Sequence, residues 1–286
     1  MPTAQSPLLI EALSNAQVVS TLPLYVAGEW TEAADGRTFD SYEPATGRTW
    51  AKIAEAGEED VDRAVRAARG ALDGSWGRTL APDRARVLWR VAELLDANRE
   101  ALARIESRDN GKAIRESRAE IANVVRYFEY FAGICQNVLG QTMPETGPFF
   151  TYTRREPVGV VGAIIPWNSP LVMLAWKICP ALAGGNAIVL KPAEDTPVSA
   201  LVFASLIEEL DLPAGVISVV PGLGRRAGAA LVEHADVDKI AFTGSTETGR
   251  QIAAQASKTL KLLTFELGGK SPNIVFADAD LETAVQ

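Results

Sequence analysis

The sequence predicts an α/β protein with a parallel sheet flanked by helices on both faces. Three observations carry the prediction. From Val158 onward, four short apolar runs (158–165, 187–190, 216–220 and 239–242) each close on a Pro or Gly signal, namely Pro166, Pro192, Pro221-Gly222 and Gly244. Between them lie helical patterns over 171–183, 197–210, 226–233 and 246–256. Before Val158, apolar residues recur mainly at helical spacing. Continuous apolar runs suit strands covered on both faces, and strands that alternate with helices lie parallel.

Taken in order, residues 1–22 are polar and rich in small residues, and read as a loose leader. They lack the basic segment and continuous apolar core of a signal peptide. Residues 24–30 read as a short strand that could turn at Ala27-Gly28, and 50–54 as another strand after a Pro/Gly loop at 43–47. Val61, Ala64, Val65, Ala68 and Leu72 then mark one helix face. Pro82 opens a longer helix, with Val87, Leu88, Val91, Leu94, Leu95, Leu102 and Ile105 on its apolar side. Ile121, Val124, Val125, Phe128, Phe131 and Ile134 continue the helical period, and Cys135 sits in that element as a core thiol. At 140–152 the pattern breaks at Gly, Pro and Thr before Phe149-Phe150. This is either a hairpin arm offering aromatics to a partner subunit or a loop folded onto its own domain.

The bulk properties narrow the function. The chain has 286 residues, 47% of them hydrophobic and 22% charged, a globular composition with room for a large core. Net charge is −8, with no concentrated run of Lys and Arg. Nucleic acid and anionic membrane surfaces are therefore not expected partners, and no apolar run is long enough to span a bilayer. Cys135 and Cys179 form neither a disulfide framework nor a zinc signature. Free thiols fit a reducing, cytoplasmic setting.

In parallel sheets of this kind ligands sit outside the carboxyl ends of the strands, so the residues after each run decide the function. The first run is followed by Pro166-Trp167-Asn168-Ser169-Pro170. The Asn168 amide could donate to an oxygen that gains negative charge, or simply cap the next helix. Lys191 and Glu194 follow the second run and could both reach the hydroxyls of one ribose, the Glu repelling a phosphate there; the alternative is a surface ion pair. The third end, Pro221-Gly222-Leu223-Gly224, is glycine-rich without being GxGxxG. The fourth, from Gly244 and Ser245 to Gly249, places small residues at a helix N-terminus, an anion site suited to a pyrophosphate. It lacks the Lys of a phosphate-binding P-loop.

One further stretch, Thr-Phe-Glu-Leu-Gly-Gly-Lys-Ser-Pro over 264–272, sets Glu266 after Leu262, Leu263 and Phe265 and before Gly268 and Gly269. Apolar neighbours raise a carboxylate's pKa, which suits a general base near neutral pH. The plainer reading is a strand that ends in a Gly-Gly turn with a solvated Glu.

Together, Pro166-Trp167-Asn168, Lys191-Pro192-Ala193-Glu194, Phe242-Thr243-Gly244-Ser245 with Gly249, and Glu266-Leu267-Gly268-Gly269-Lys270 resemble the aldehyde dehydrogenase superfamily in order and spacing. The resemblance runs from about Leu24 onward. It implies a Rossmann-like dinucleotide-binding sheet, NAD as cofactor with NADP disfavoured by Glu194, and a small-molecule aldehyde as substrate. It implies that Asn168 stabilises the oxyanion and Glu266 is the general base. Lys191 and Glu194 would hold the adenosine ribose, and Ser245 with the Gly244–Gly249 loop the pyrophosphate. Ile165, Trp167, Gly224 and Leu267 would line the cofactor cleft. The implied division is a leader (1–22), an NAD-binding domain (23–139 and 158–266), an oligomerisation arm (140–157) and the beginning of a catalytic domain (267–286). A complete member is expected to be a homodimer or homotetramer.

The implied reaction is oxidation of an aldehyde to a carboxylic acid. A Cys thiolate attacks the aldehyde, hydride leaves to the nicotinamide, and water activated by Glu266 hydrolyses the thioester. The family's nucleophilic Cys lies beyond the Glu-Leu-Gly-Gly-Lys motif, and neither Cys135 nor Cys179 matches its position. The chain is therefore expected to be truncated and inactive alone, and its exposed apolar surface to invite aggregation. The alternative is a non-catalytic NAD-binding or interaction fragment. Trp167 and Phe128 either border the substrate tunnel or belong to the core.

Overall fold

A computed structural model of the chain describes residues 10, 13, 19–145, 147–269 and 271–285. The strands are β1 (Val19–Leu22), β2 (Leu24–Val26), β3 (Glu29–Thr31), β4 (Thr38–Glu43), β5 (Arg48–Ala54), β6 (Val160–Ile164), β7 (Ala187–Lys191), β8 (Ile217–Val219), β9 (Lys239–Thr243) and β10 (Leu262–Glu266). The helices are α1 (Glu58–Asp73), α2 (Ala81–Ala97), α3 (Arg99–Asn110), α4 (Ile114–Ile134), α5 (Pro170–Ala183), α6 (Val198–Ile207), α7 (Ala229–Glu233), α8 (Thr246–Ala256) and α9 (Leu281–Val285). Among the described residues, no helix is long and apolar enough to cross a membrane.

The main sheet runs β10-β9-β6-β7-β8-β2-β3, with β6 to β10 parallel and the β2–β3 hairpin antiparallel at one edge. The chain starts at the central β6, steps outward through β7 and β8, then returns to the other side of β6 for β9 and β10. This reversal leaves a crevice at the carboxyl ends of β6 and β9. A smaller sheet, β1-β5-β4, stands apart.

Successive residues of β7 feed two separate cores. Ile188 and Leu190 join Leu171, Leu174 and Phe203 under α5 and α6, while Ala187 and Val189 join Val61, Val65, Leu231 and Ile252 under α1, α7 and α8. That is the period of two expected of a strand covered on both faces. Burying one such aliphatic side chain contributes roughly 1.5–3 kcal/mol, so both helical layers are held by many independent increments. Phe128 is fully buried in the first core beside Phe203, which settles it as a packing residue.

Several local expectations change. The turn expected within 24–30 forms at Ala27 (φ 56°) and Gly28 (φ 82°), whose left-handed conformations split the stretch into the paired strands β2 and β3. The helix opened by Pro82 breaks into α2 and α3 at Asn98, whose side-chain amide donates to the Leu94 carbonyl at 2.8 Å. Cys135 follows α4, in a short 3₁₀ turn, and is buried. The helix expected from Arg226 begins at Ala229, after one π-type turn over Gly224–Gly228. Arg226 is held there by ion pairs to Glu55 (2.7 Å) and Asp35 (2.6 Å). Most of the 1–22 leader lies outside the described residues, but its last four form β1, Leu22 is buried, and so are Ile10 and Leu13. The 140–152 stretch is a short exposed hairpin: Met143 N donates to Thr151 O (2.9 Å) and Thr153 N to Gln141 O (2.8 Å), and Phe149, Phe150 and Tyr152 face solvent.

Candidate active site

The residues expected to act together come from five strand ends, those of β6 to β10, along one rim of the main sheet. Ile165 N, just past β6, donates to the Lys191 carbonyl at 3.2 Å, tying the ends of β6 and β7 together. Lys191 closes β7, and its Nζ donates to Glu194 Oε2 at 2.8 Å. Glu194 turns its other oxygen, Oε1, to the backbone N–H of Gly224 at 3.4 Å. On the far side of β6, Gly244 N donates to the Glu266 carbonyl at 3.0 Å, joining the ends of β9 and β10. Leu267 then folds over α8: a Cβ on Gly249 would lie 2.6 Å from Leu267 Cδ2. A side chain at 249 would displace the Leu267 methyls from that position.

The Lys191–Glu194 pair is not a solvated surface pair. The Lys191 side chain is 3% exposed and that of Glu194 41%. Burial pushes the Lys191 ammonium below its ordinary range, and the Glu194 carboxylate opposes that shift. Burial pushes the Glu194 carboxyl up, but the Lys191 charge and its hydrogen bond bring it below the usual carboxylate range. The pair is thus mutually supporting: each charge opposes the cost of burying the other.

Ser245 is the N-cap of α8, its Oγ accepting from Thr248 N at 3.1 Å. The capping satisfies the third residue of the helix, while the first-turn amides of Thr246 and Glu247 find no acceptor among the described residues. Asn168 does not cap α5; the N-cap is Ser169. The Asn168 side chain is exposed and makes no hydrogen bond among the described residues, so its carboxamide is free to serve a ligand. Beside it Trp167 is exposed, outside the core.

Glu266 ends β10 at the same rim, but the apolar enclosure expected around it is absent: it is exposed, and Leu262 and Leu267 are open to solvent as well. The reason is geometric, since β10 is paired only with β9 and forms the edge of the main sheet. Lys270 lies outside the described residues.

Sequence reasoning missed two contributors. Lys177, on α5 and buried, has its ammonium pushed down by burial while the Glu266 charge pulls it back up. Asn110, at the end of α3, donates through Nδ2 to Trp167 O (2.6 Å) and Asn168 O (3.1 Å). Asn110-Gly111 reads in sequence as a helix stop, but nothing local shows where its amide points.

The strand order defines a doubly wound α/β domain, and the expected residues lie at the carboxyl ends of its parallel strands, where such folds bind ligands. A sequence model described as "Aldehyde dehydrogenase family" matches residues 30–286, and the chain belongs to that family. It is 48% identical over 283 residues to human retinal dehydrogenase 2, covering 98% of this chain and 54% of that protein. It is 49% identical over 267 residues to human mitochondrial aldehyde dehydrogenase, covering 92% of this chain and 52% of that protein. The NAD+ complex of an aldehyde dehydrogenase from Bacillus cereus superposes with a TM-score of 0.90 at 47% identity, over 96% of this chain and 56% of that one. Betaine aldehyde dehydrogenase from Staphylococcus aureus, also in complex with NAD+, gives 0.90 at 37% identity over 98% and 55%. The chain thus spans about half the length of the relatives it matches.

Proposed function

We propose that this chain is the cofactor-binding part of an NAD-dependent aldehyde dehydrogenase that oxidises an aldehyde to a carboxylic acid. The convergence of Ile165, Lys191, Glu194, Gly224, Gly244 and Glu266 on one rim carries the reading.

The donor set fits a dinucleotide. Lys191 and Glu194 offer a fixed donor and acceptor to ribose hydroxyls, and a 2′-phosphate would meet the Glu194 carboxylate, which favours NAD over NADP. The first turn of α8, opened by Gly244 and Ser245 and kept clear by Gly249, offers free amides to a pyrophosphate. Ile165, Trp167, Gly224 and Leu267 border the space between these two groups. NAD, when bound, supplies the hydride acceptor.

The chain's own residues do the rest. The Asn168 carboxamide donates to the aldehyde oxygen as that oxygen becomes negative, a type of contact whose loss costs about 10²–10³ in rate. Glu266 takes a proton from the water that hydrolyses the acyl intermediate. The nucleophile is neither thiol of this chain. Cys135 and Cys179 are buried, and burial pushes both thiols up, Cys179 well above its ordinary value. We assign the nucleophile to a Cys other than Cys135 and Cys179 and expect no turnover from this chain alone. The second reading, a non-catalytic NAD-binding or interaction fragment, is favoured by the same burial of both thiols.

We further assign 23–139 and 158–266 to the NAD-binding domain, 140–157 to an oligomerisation arm, and 267–286 to the beginning of a catalytic domain. The exposed aromatics of the arm favour a homodimer or homotetramer of the parent enzyme. Two unpaired thiols favour a cytoplasmic location.

Calorimetric titration of the 286-residue chain with NAD+ tests the reading. One-to-one binding, several-fold tighter than for NADP+, is expected; absence of any NAD+ binding by a folded chain defeats it. NADH formation from an aldehyde by this chain, surviving Cys135→Ala with Cys179→Ala, would overturn the assignment of the nucleophile.

A further inference from the structure

We infer that Asn110, at the end of α3, is a positioning residue that clamps the Trp167–Asn168–Ser169 loop so that the Asn168 carboxamide faces the crevice; the inference rests on the proposed role of Asn168. The backbone of this loop is committed while its catalytic side chain is not. Asn110 Nδ2 donates to the carbonyls of both Trp167 and Asn168, at 2.6 and 3.1 Å, across more than fifty residues of sequence. Its Oδ1 is engaged separately, accepting from Lys112 N at 3.1 Å, which fixes the direction of the amide.

The next residue is held from the same side. Ser169 Oγ donates to Glu120 Oε1 at 3.0 Å, and Leu171 N donates to Glu106 Oε2 at 3.3 Å. Lys112 Nζ joins the two carboxylates, at 3.2 Å from Glu106 Oε1 and 2.5 Å from Glu120 Oε2. Glu106 is fully buried, so a buried carboxylate from α3 caps the first turn of α5, where the N-cap Ser169 makes no side-chain cap bond. Three successive positions of the loop are thus fixed through side chains of α3 and α4, while the Asn168 carboxamide makes no hydrogen bond among the described residues. A hydrogen-bond donor that must meet a developing oxyanion needs such support, because small displacements of a positioned group cost up to about a hundredfold in rate.

Asn110→Asp tests the clamp. It keeps the acceptor for Lys112 N and removes the donor to the two carbonyls. In the 286-residue chain, hydrogen exchange of the peptide over 165–170 is expected to rise at least tenfold, while exchange over 187–191 and NAD+ affinity stay unchanged. In a complete aldehyde dehydrogenase carrying this segment, kcat should fall roughly ten- to a hundredfold, with KM for NAD+ unmoved. Should Asn110→Asp not fold, Ser169→Ala removes the neighbouring contact to Glu120 and should raise exchange over the same peptide. Unchanged exchange over 165–170 in a folded variant overturns the clamp, as does a kcat equal to that of the unaltered enzyme. Failure of the unaltered chain to bind NAD+ instead sinks the functional proposal, and leaves the exchange result to be read on its own.

Discussion

Lys191 illustrates how a single residue is set to one task. Its ammonium is withdrawn from water at the end of β7 and meets one carboxylate, Glu194, at 2.8 Å. A buried lysine with one partner has donor capacity left over, since an ammonium carries three N–H groups. Lys191→Ala should therefore weaken NAD+ binding by about tenfold or more, equivalent to one charge-assisted hydrogen bond, and leave Glu194 with the Gly224 amide alone as donor. Calorimetry on the two proteins checks this, and equal affinities would remove Lys191 from the site. The residue was identifiable from sequence because it follows a continuous apolar run and precedes Pro192 and Glu194. The direction of the Asn110 amide was not, because it depends on a loop more than fifty residues away.

Among the described helices, α6 is buried along its whole length, from Val198 to Ile207. Its N-terminus is satisfied by Asp109 of α3, whose Oδ2 accepts from Val198 N (3.0 Å) and Ser199 N (3.4 Å) while Oδ1 accepts from Ser41 Oγ (3.1 Å). Burial raises the Asp109 carboxyl to about 7 even though these three bonds pull it down. The folded state thus holds a proton that the unfolded chain has released by about pH 5. The stability this proton gives is complete below the unfolded carboxylate range and is lost as pH rises through about 7. Asp109→Asn should flatten that decline, measured as the difference between urea midpoints at pH 5 and pH 8; an unchanged difference would falsify the assignment.

The same contact explains why β4 escaped sequence reading. The buried residue of Thr38–Glu43 is Ser41, while Tyr42 is exposed, so the strand inverts the usual apolar-in pattern and relies on a distant carboxylate. β6, β7 and β9 were readable because they are apolar on both faces and punctuated at their ends. The split between α2 and α3 was hidden because Asn98 continues the helical pattern in composition while its side chain competes for the Leu94 carbonyl.

Across the whole molecule, part of the apolar surface left in water falls in two stretches of the chain. Leu262, Leu267, Ile274, Val275, Phe276, Leu281 and Val285 are exposed at and beyond β10, and Phe149, Phe150 and Tyr152 on the hairpin. Contiguous apolar surface of this kind drives association. The isolated chain should sediment with a mass that rises with concentration and should enhance the fluorescence of an apolar dye. A sharp monomer over a wide concentration range, with no dye response, contradicts this.

The alternation along β7 has a thermodynamic corollary. Ile188 and Val189 are covalent neighbours, yet they belong to different cores, separated by the thickness of the sheet. Damage on one side then has little means of propagating to the other: Ile188→Val and Val189→Ala should add in a double variant to within about 0.5 kcal/mol, as residues without shared partners do. Each face of the domain can thus drift in sequence without the consent of the opposite one, provided the backbone ladder between them keeps its register.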